Sequence, residues 1–158
     1  PKSEGGLFVG KEDERKSILR LIAEYNPYLL DVEFNTIQKD RKLASYLKKT
    51  KCKLLISWHD FKKTPSESQL KSRHAKMRNF SNVVKIVTVA KNVSDVSRLL
   101  SLYSVKSKNK TIAFCMGEQG KFSRILCLHM GSPFTYVSLG KAVAPGQFSL
   151  DEIKSLQN

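Results

Sequence analysis

The feature that most restricts the fold of this chain is an alternation. Short apolar runs recur along its 158 residues, and stretches with helical periodicity separate each from the next. The runs are Tyr28-Leu29-Leu30-Asp31-Val32-Glu33-Phe34, Lys53-Leu54-Leu55-Ile56-Ser57, Val83-Val84-Lys85-Ile86-Val87-Thr88-Val89, Thr111-Ile112-Ala113-Phe114-Cys115 and Phe134-Thr135-Tyr136-Val137-Ser138. Their length and near-continuous hydrophobicity suit strands buried on both faces. Five such strands with intervening helices predict an α/β fold with a parallel sheet, either open and doubly wound or closed as a barrel. Periodicity alone does not choose between the two.

The helical stretches are read from spacing and caps. A helix is expected from about Lys11 to Tyr25, with Ile18, Leu21, Ile22 and Tyr25 on one face, and another from about Ile37 to Lys49. Thr64-Pro65-Ser66-Glu67 reads as a capping box with proline at the first helical position, opening a helix to about Met77. Val93, Val96, Leu99, Leu100 and Tyr103 mark a further helix, and one lies near Lys121 to Leu128. Ser149-Leu150-Asp151-Glu152 is a second capping box before a final helix.

Size and composition suit one globular domain over residues 1–158. No apolar run approaches the ~18 residues needed to cross a bilayer. The first residues lack the basic-then-apolar profile of a signal peptide, so the expectation is a cytoplasmic protein without a membrane partner. Cys52, Cys115 and Cys127 are widely spaced and set in apolar surroundings, which speaks for buried free thiols rather than a disulfide framework or a zinc site. The formal charge of +14 is the compositional oddity. Its lysines are scattered, as in Lys48-Lys49, Lys62-Lys63 and Lys106-Lys108-Lys110, and no aromatics interleave them as a stacking platform requires. The expectation is therefore no nucleic acid, and a positive field that favours a small anionic substrate.

Polar residues gather at or just after strand ends, where α/β proteins place their sites. Lys85 is the most informative of them, because it lies within an apolar strand, and a lone buried ammonium is costly. It is either a strand-end lysine snorkelling to solvent or a desolvated amine able to attack a carbonyl and form an imine. His59 follows the second strand directly and is either a structural hydrogen-bonder or a base. In a closed barrel it would emerge beside Lys85 on one rim. His74 and His129 fall within expected helices and read as structural. Arg124 could clamp a carboxylate bidentately or form a surface ion pair. Ala144-Pro145-Gly146-Gln147 is either a ligand-contacting loop or a plain turn. Glu4-Gly5-Gly6 and the carboxylates Asp31 and Glu33 are ambiguous by themselves.

Taken in order, these stretches resemble the type I 3-dehydroquinate dehydratase family over nearly the whole chain. The matches are Glu4-Gly5-Gly6, Asp31-Val32-Glu33, Ser57-Trp58-His59-Asp60-Phe61 with Thr64-Pro65, Val84-Lys85-Ile86, Met116-Gly117, Ser123-Arg124, Gly131-Ser132 and Ala144-Pro145-Gly146-Gln147. The resemblance implies a (β/α)8 TIM barrel that dehydrates 3-dehydroquinate to 3-dehydroshikimate in the shikimate pathway of aromatic amino acid biosynthesis. It implies Lys85 as the Schiff-base nucleophile, His59 as general base and acid, and Glu4 as the group that orients His59. Arg124 would hold the substrate carboxylate, Gln147 would contact its hydroxyls, and Ser123 and Tyr136 would line the wall. No cofactor or metal is implied, and a homodimer is.

Two departures accompany the resemblance. Barrels of this kind run to roughly 250 residues and eight strands, so this chain is expected to hold about the last five strands, with the N-terminal portion missing. Val143 stands where the family often has a serine on the loop over the site. Two other readings remain: a Schiff-base barrel lyase of the aldolase kind, and a non-catalytic basic binding protein.

Overall fold

Four of the five apolar runs are strands. The computed structural model describes residues 1–104, 110–140, 142 and 144–155; Lys106, Lys108 and Val143 lie outside the described residues. The strands are β1 (Leu30–Glu33), β2 (Leu54–Asp60), β3 (Val83–Val89) and β4 (Lys110–Met116). Each is parallel to the next, and the sheet order β1-β2-β3-β4 follows the sequence. Parallel neighbours need a long crossover to bring the chain back to the same end. Helices supply it: α1 (Glu12–Glu24) precedes β1, α2 (Phe34–Lys39) and α3 (Arg41–Lys49) join β1 to β2, and α4 (Glu67–Met77) joins β2 to β3. α5 (Val93–Leu100) leads towards β4, α6 (Ser123–His129) follows it, and α7 (Leu150–Ser155) is the last described element.

Register gives the sheet two chemically different faces. Side chains alternate along a strand, and paired residues in a parallel ladder share a side. One face carries Val32, Ile56, Trp58, Val84, Ile86, Ala113 and Cys115, all buried in one apolar cluster with Phe34, Leu43, Leu47, Leu70, Met77 and Leu99 from the helices. The other carries Leu55, Val87, Ile112, Phe114 and Met116, with Phe134 and Tyr136 packed against them. Asp31, Glu33, Ser57, His59 and Lys85 lie on this second face by the same register.

Four sequence expectations are corrected. Phe134–Ser138 does not join the sheet: the described residues form only an isolated bridge between Ser138 and Ser149, with Ser138 N–H donating to Phe148 O at 2.9 Å. The helix expected from Ile37 to Lys49 divides at Asp40, whose carboxylate caps α3 by accepting from Leu43 N–H at 2.9 Å. The capping box before α4 pairs Ser66 with Gln69, not Thr64 with Glu67. Thr64 is buried instead, its hydroxyl 2.7 Å from that of Thr88 and donating to Val89 O at 2.9 Å.

The fourth correction concerns α1. Ile18, Leu21, Ile22 and Tyr25 are exposed, and the helix turns Arg15, Leu19 and Ala23 inward. Arg15 is drawn in by Glu33 at 2.7 Å, by Glu12 at 2.7 and 2.9 Å, and by the Thr36 hydroxyl at 2.6 Å. A guanidinium so fully partnered can be buried where an unpaired one could not.

Cys52, Cys115 and Cys127 are buried free thiols, each pushed up from its ordinary pKa by burial. His74 is buried with Nε2 2.9 Å from the Thr111 hydroxyl, as its structural reading expects, while His129 is exposed at the end of α6. No helix among the described residues is long and apolar enough to cross a membrane.

Candidate active site

The C-terminal ends of the strands build a cavity of about 240 Å³. Glu4, His59, Lys85, Arg124, Tyr136 and Gln147 all line it, although they come from six separate stretches of sequence. Register explains the pairing at its centre. Ser57 is the partner of Lys85, and His59 lies two residues further along β2 on the same face. The imidazole and the ammonium therefore emerge from neighbouring strands on one side, one dyad step apart.

Lys85 is 7% exposed, and its ammonium is not alone. Nζ donates to Asp31 Oδ2 at 2.7 Å and lies 4.9 Å from the centre of the Tyr136 ring. Ring and carboxylate together replace part of the water that a charge loses on burial. Burial raises the pKa of Tyr136 from its ordinary value, which keeps the phenol neutral beside them.

His59 is held from one side. Glu4 Oε2 accepts from the His59 backbone N–H at 3.3 Å and lies 3.4 Å from ring Nδ1. A carboxylate can only accept, so the tautomer matched to it carries its hydrogen on Nδ1 and leaves Nε2 as the basic nitrogen. Glu4 is itself buried, and its other oxygen accepts from Asn35 Nδ2 at 2.9 Å. Phe61 stacks against the imidazole with centroids 6.0 Å apart.

Arg124 brings a second cation, at 2% exposure. Its guanidinium carbon sits 4.5 Å from the Phe114 ring centre, and one terminal nitrogen reaches Pro145 O at 3.4 Å. Nε is buried and has no hydrogen-bond partner among the described residues. Burial lowers the pKa of the group from its ordinary value. An under-satisfied guanidinium facing a cavity is a receptor for a planar anion.

The loop Ala144–Gln147 closes one side. Gly117 N–H donates to Pro145 O at 3.3 Å and Gln147 N–H to Ala144 O at 3.1 Å. Gly146 has φ +68°, and a Cβ on it would lie 2.5 Å from Gly117 O, so only glycine lets the loop sit this close to the end of β4.

Of the residues expected at the site, Ser123 alone does not reach the cavity. Its hydroxyl accepts from Cys115 N–H at 2.7 Å and donates to Gly120 O at 2.5 Å, which ties the start of α6 to β4. Asp31, Asn35 and Phe114 are site neighbours that sequence reasoning left unassigned. Of the three only Asp31 carried a signal, since a charge within an apolar run wants a partner. An amine, an oriented imidazole and a guanidinium around one small cavity are suited to imine formation with a carboxylated ketone and to proton transfer beside it.

Comparison with known proteins gives the chain its relatives. The family model described as type I 3-dehydroquinase matches residues 1–158. A 3-dehydroquinate dehydratase of Pyrobaculum aerophilum is 40% identical over 152 residues, covering 95% of this chain and 48% of that protein. One from Dehalococcoides mccartyi is 38% identical over 154 residues, covering 96% of this chain and 68% of its own length. The crystal structure of the Clostridium difficile type I 3-dehydroquinate dehydratase with covalent modified comenic acid superposes with a TM-score of 0.84 at 27% identity, covering 97% of this chain and 63% of that one. The chain thus spans about half to two thirds of the length of these relatives. With its whole length matched, the chain belongs to the type I 3-dehydroquinase family.

Proposed function

We propose that the protein dehydrates 3-dehydroquinate to 3-dehydroshikimate, a step of the shikimate pathway, through a Schiff base on Lys85. The observation that carries this reading is the meeting of Lys85, His59 and Arg124 on one cavity. The substrate carboxylate pairs with the Arg124 guanidinium, whose Nε has no hydrogen-bond partner among the described residues. This places the ketone near the amine. The amine attacks the carbonyl carbon, the oxygen leaves as water, and an iminium forms. Its positive charge withdraws electrons from the adjacent carbon, which His59 deprotonates. The same imidazolium then donates to the departing hydroxyl, and water returns the lysine. Glu4 fixes the tautomer of the neutral ring and stabilises the imidazolium that forms. Gln147 binds substrate hydroxyls, and Tyr136 forms a wall. The iminium supplies the electrophile, so the scheme needs no metal or cofactor.

The whole protein is proposed as one (β/α)8 barrel, this chain contributing its later strands, and as a cytoplasmic homodimer. The likeness to the C. difficile enzyme supports the barrel, and the covalent modified comenic acid in that structure supports covalent chemistry in the family.

The test is reduction with borohydride in the presence of 3-dehydroquinate, followed by peptide mass mapping. A reduced adduct on Lys85 is expected. No adduct, or one on another lysine, overturns the assignment.

A further inference from the structure

The Lys85 ammonium donates to one carboxylate, that of Asp31, at 2.7 Å. The two are not on adjacent strands. Asp31 pairs with Leu55 on β2, and Leu55 pairs with Val83 on β3, two residues before Lys85. The lysine therefore reaches across β2 and back towards the N-terminal ends of the strands. Glu4, His59, Arg124 and Gln147 lie around the cavity, while Asp31 is not among its lining residues. The nitrogen sits with reaction space on one side and a carboxylate on the other.

Stability gives little reason for such a pair, because the Asp31 side chain is 43% exposed and ion pairs open to water contribute little. Chemistry gives a better one. We infer that Asp31 is the counter-ion of the Schiff base, anchoring one N–H of Lys85 while the amine attacks and then accepting the N–H of the iminium. The inference rests on the lysine-imine reading above.

The hydrogens balance on this account. The resting ammonium carries three, one of them on Asp31. A second passes to His59, and the lone pair so exposed points away from Asp31, towards the cavity. Attack forms the C–N bond. The carbonyl oxygen then collects the proton from His59 and a further proton from nitrogen, and leaves as water. One hydrogen stays on the iminium nitrogen, still directed at Asp31. A carboxylate opposite that nitrogen favours the charged imine over the neutral one, and only the charged form is a strong electron sink. The same bond fixes the plane of the imine relative to His59.

The experiment compares Asp31→Asn and Asp31→Glu with wild type in the whole protein, using 3-dehydroquinate and borohydride. Asn keeps the shape and an acceptor oxygen but not the charge. The expected result is a kcat lowered roughly 10- to 100-fold with KM changed far less, and a reduced Lys85 adduct that accumulates more slowly by a similar factor. Asp31→Glu should recover part of both rates. Wild-type turnover and wild-type trapping in Asp31→Asn would overturn the inference. So would losses in both variants that merely follow the fraction of folded protein in a thermal melt. Absence of an adduct in wild type would instead reject the dehydratase reading, which keeps the two failures apart.

Discussion

One oxygen of Glu4 meets His59 twice, 3.3 Å from its backbone nitrogen and 3.4 Å from ring Nδ1. The first contact fixes where the residue starts and the second fixes which way its ring faces. Replacing His59 with Ala is expected to slow turnover by at least ~10²-fold, the usual share of a general acid–base. Glu4→Gln should lower kcat less, by roughly 10-fold, because an amide can donate to Nδ1 and so favour the unproductive tautomer. Steady-state assays of product absorbance check both. An unchanged rate in His59→Ala rejects its role.

Arg124 should separate binding from stability. Its Nε lacks a partner among the described residues and its burial opposes the charge, so Arg124→Met is expected to melt no lower than wild type. The same variant should raise KM roughly 100-fold, through loss of a charge-assisted bidentate pair. Arg124→Lys should not restore binding, since a point charge lacks the planar fork. A KM near wild type in Arg124→Met would show that the substrate anion binds elsewhere.

Gly146→Ala tests the loop over the site. The added Cβ would meet Gly117 O at 2.5 Å and would also strain a backbone at φ +68°. The loop must lift, carrying Pro145 away from Arg124 and Gln147 away from the cavity. KM is expected to rise roughly 10-fold, with the melting temperature falling by only a few degrees because the loop is peripheral to both apolar clusters. Titration with a non-reacting substrate analogue reads the binding loss directly.

His74 sets an acid limit on stability. Burial lowers its pKa from 6.5 to about 4. The folded state therefore resists a proton that the unfolded chain accepts. Its contribution is fully present above pH ~6.5 and is lost as pH falls towards about 4, at up to ~1.4 kcal/mol per pH unit. His74→Gln, which can still bond Thr111, should flatten the fall in melting temperature between pH 7 and pH 4.5. Parallel curves for the two proteins would remove His74 as the cause.

Much of this arrangement was legible in the residues. The strands announced themselves because a parallel strand is apolar on both sides, and Lys85 stood out against that background. What escaped was pairing at a distance. Periodicity weighs hydrophobicity residue by residue, so it placed Ile18 and Leu21 on the working face of α1. It could not see that Glu33 and Thr36 would draw Arg15 inward. The break at Asp40 was hidden inside a continuous helical pattern for the same reason, as was the bond from Lys85 to Asp31. Phe134–Ser138 has the composition of a strand but meets the sheet through its rings, Phe134 and Tyr136 packing edge to face and Tyr136 on Phe114.

The two-residue repeat of β3 ties reactivity to correct folding. Lys85 and Val87 look into the cavity, while Val84, Ile86 and Thr88 look towards the helices. A slip of one position against β2 would bury the amine in oil and offer a hydrocarbon to the ketone. Such a misthreaded molecule could not persist as an inert look-alike, because the error that silences it also puts a charge into its apolar layer.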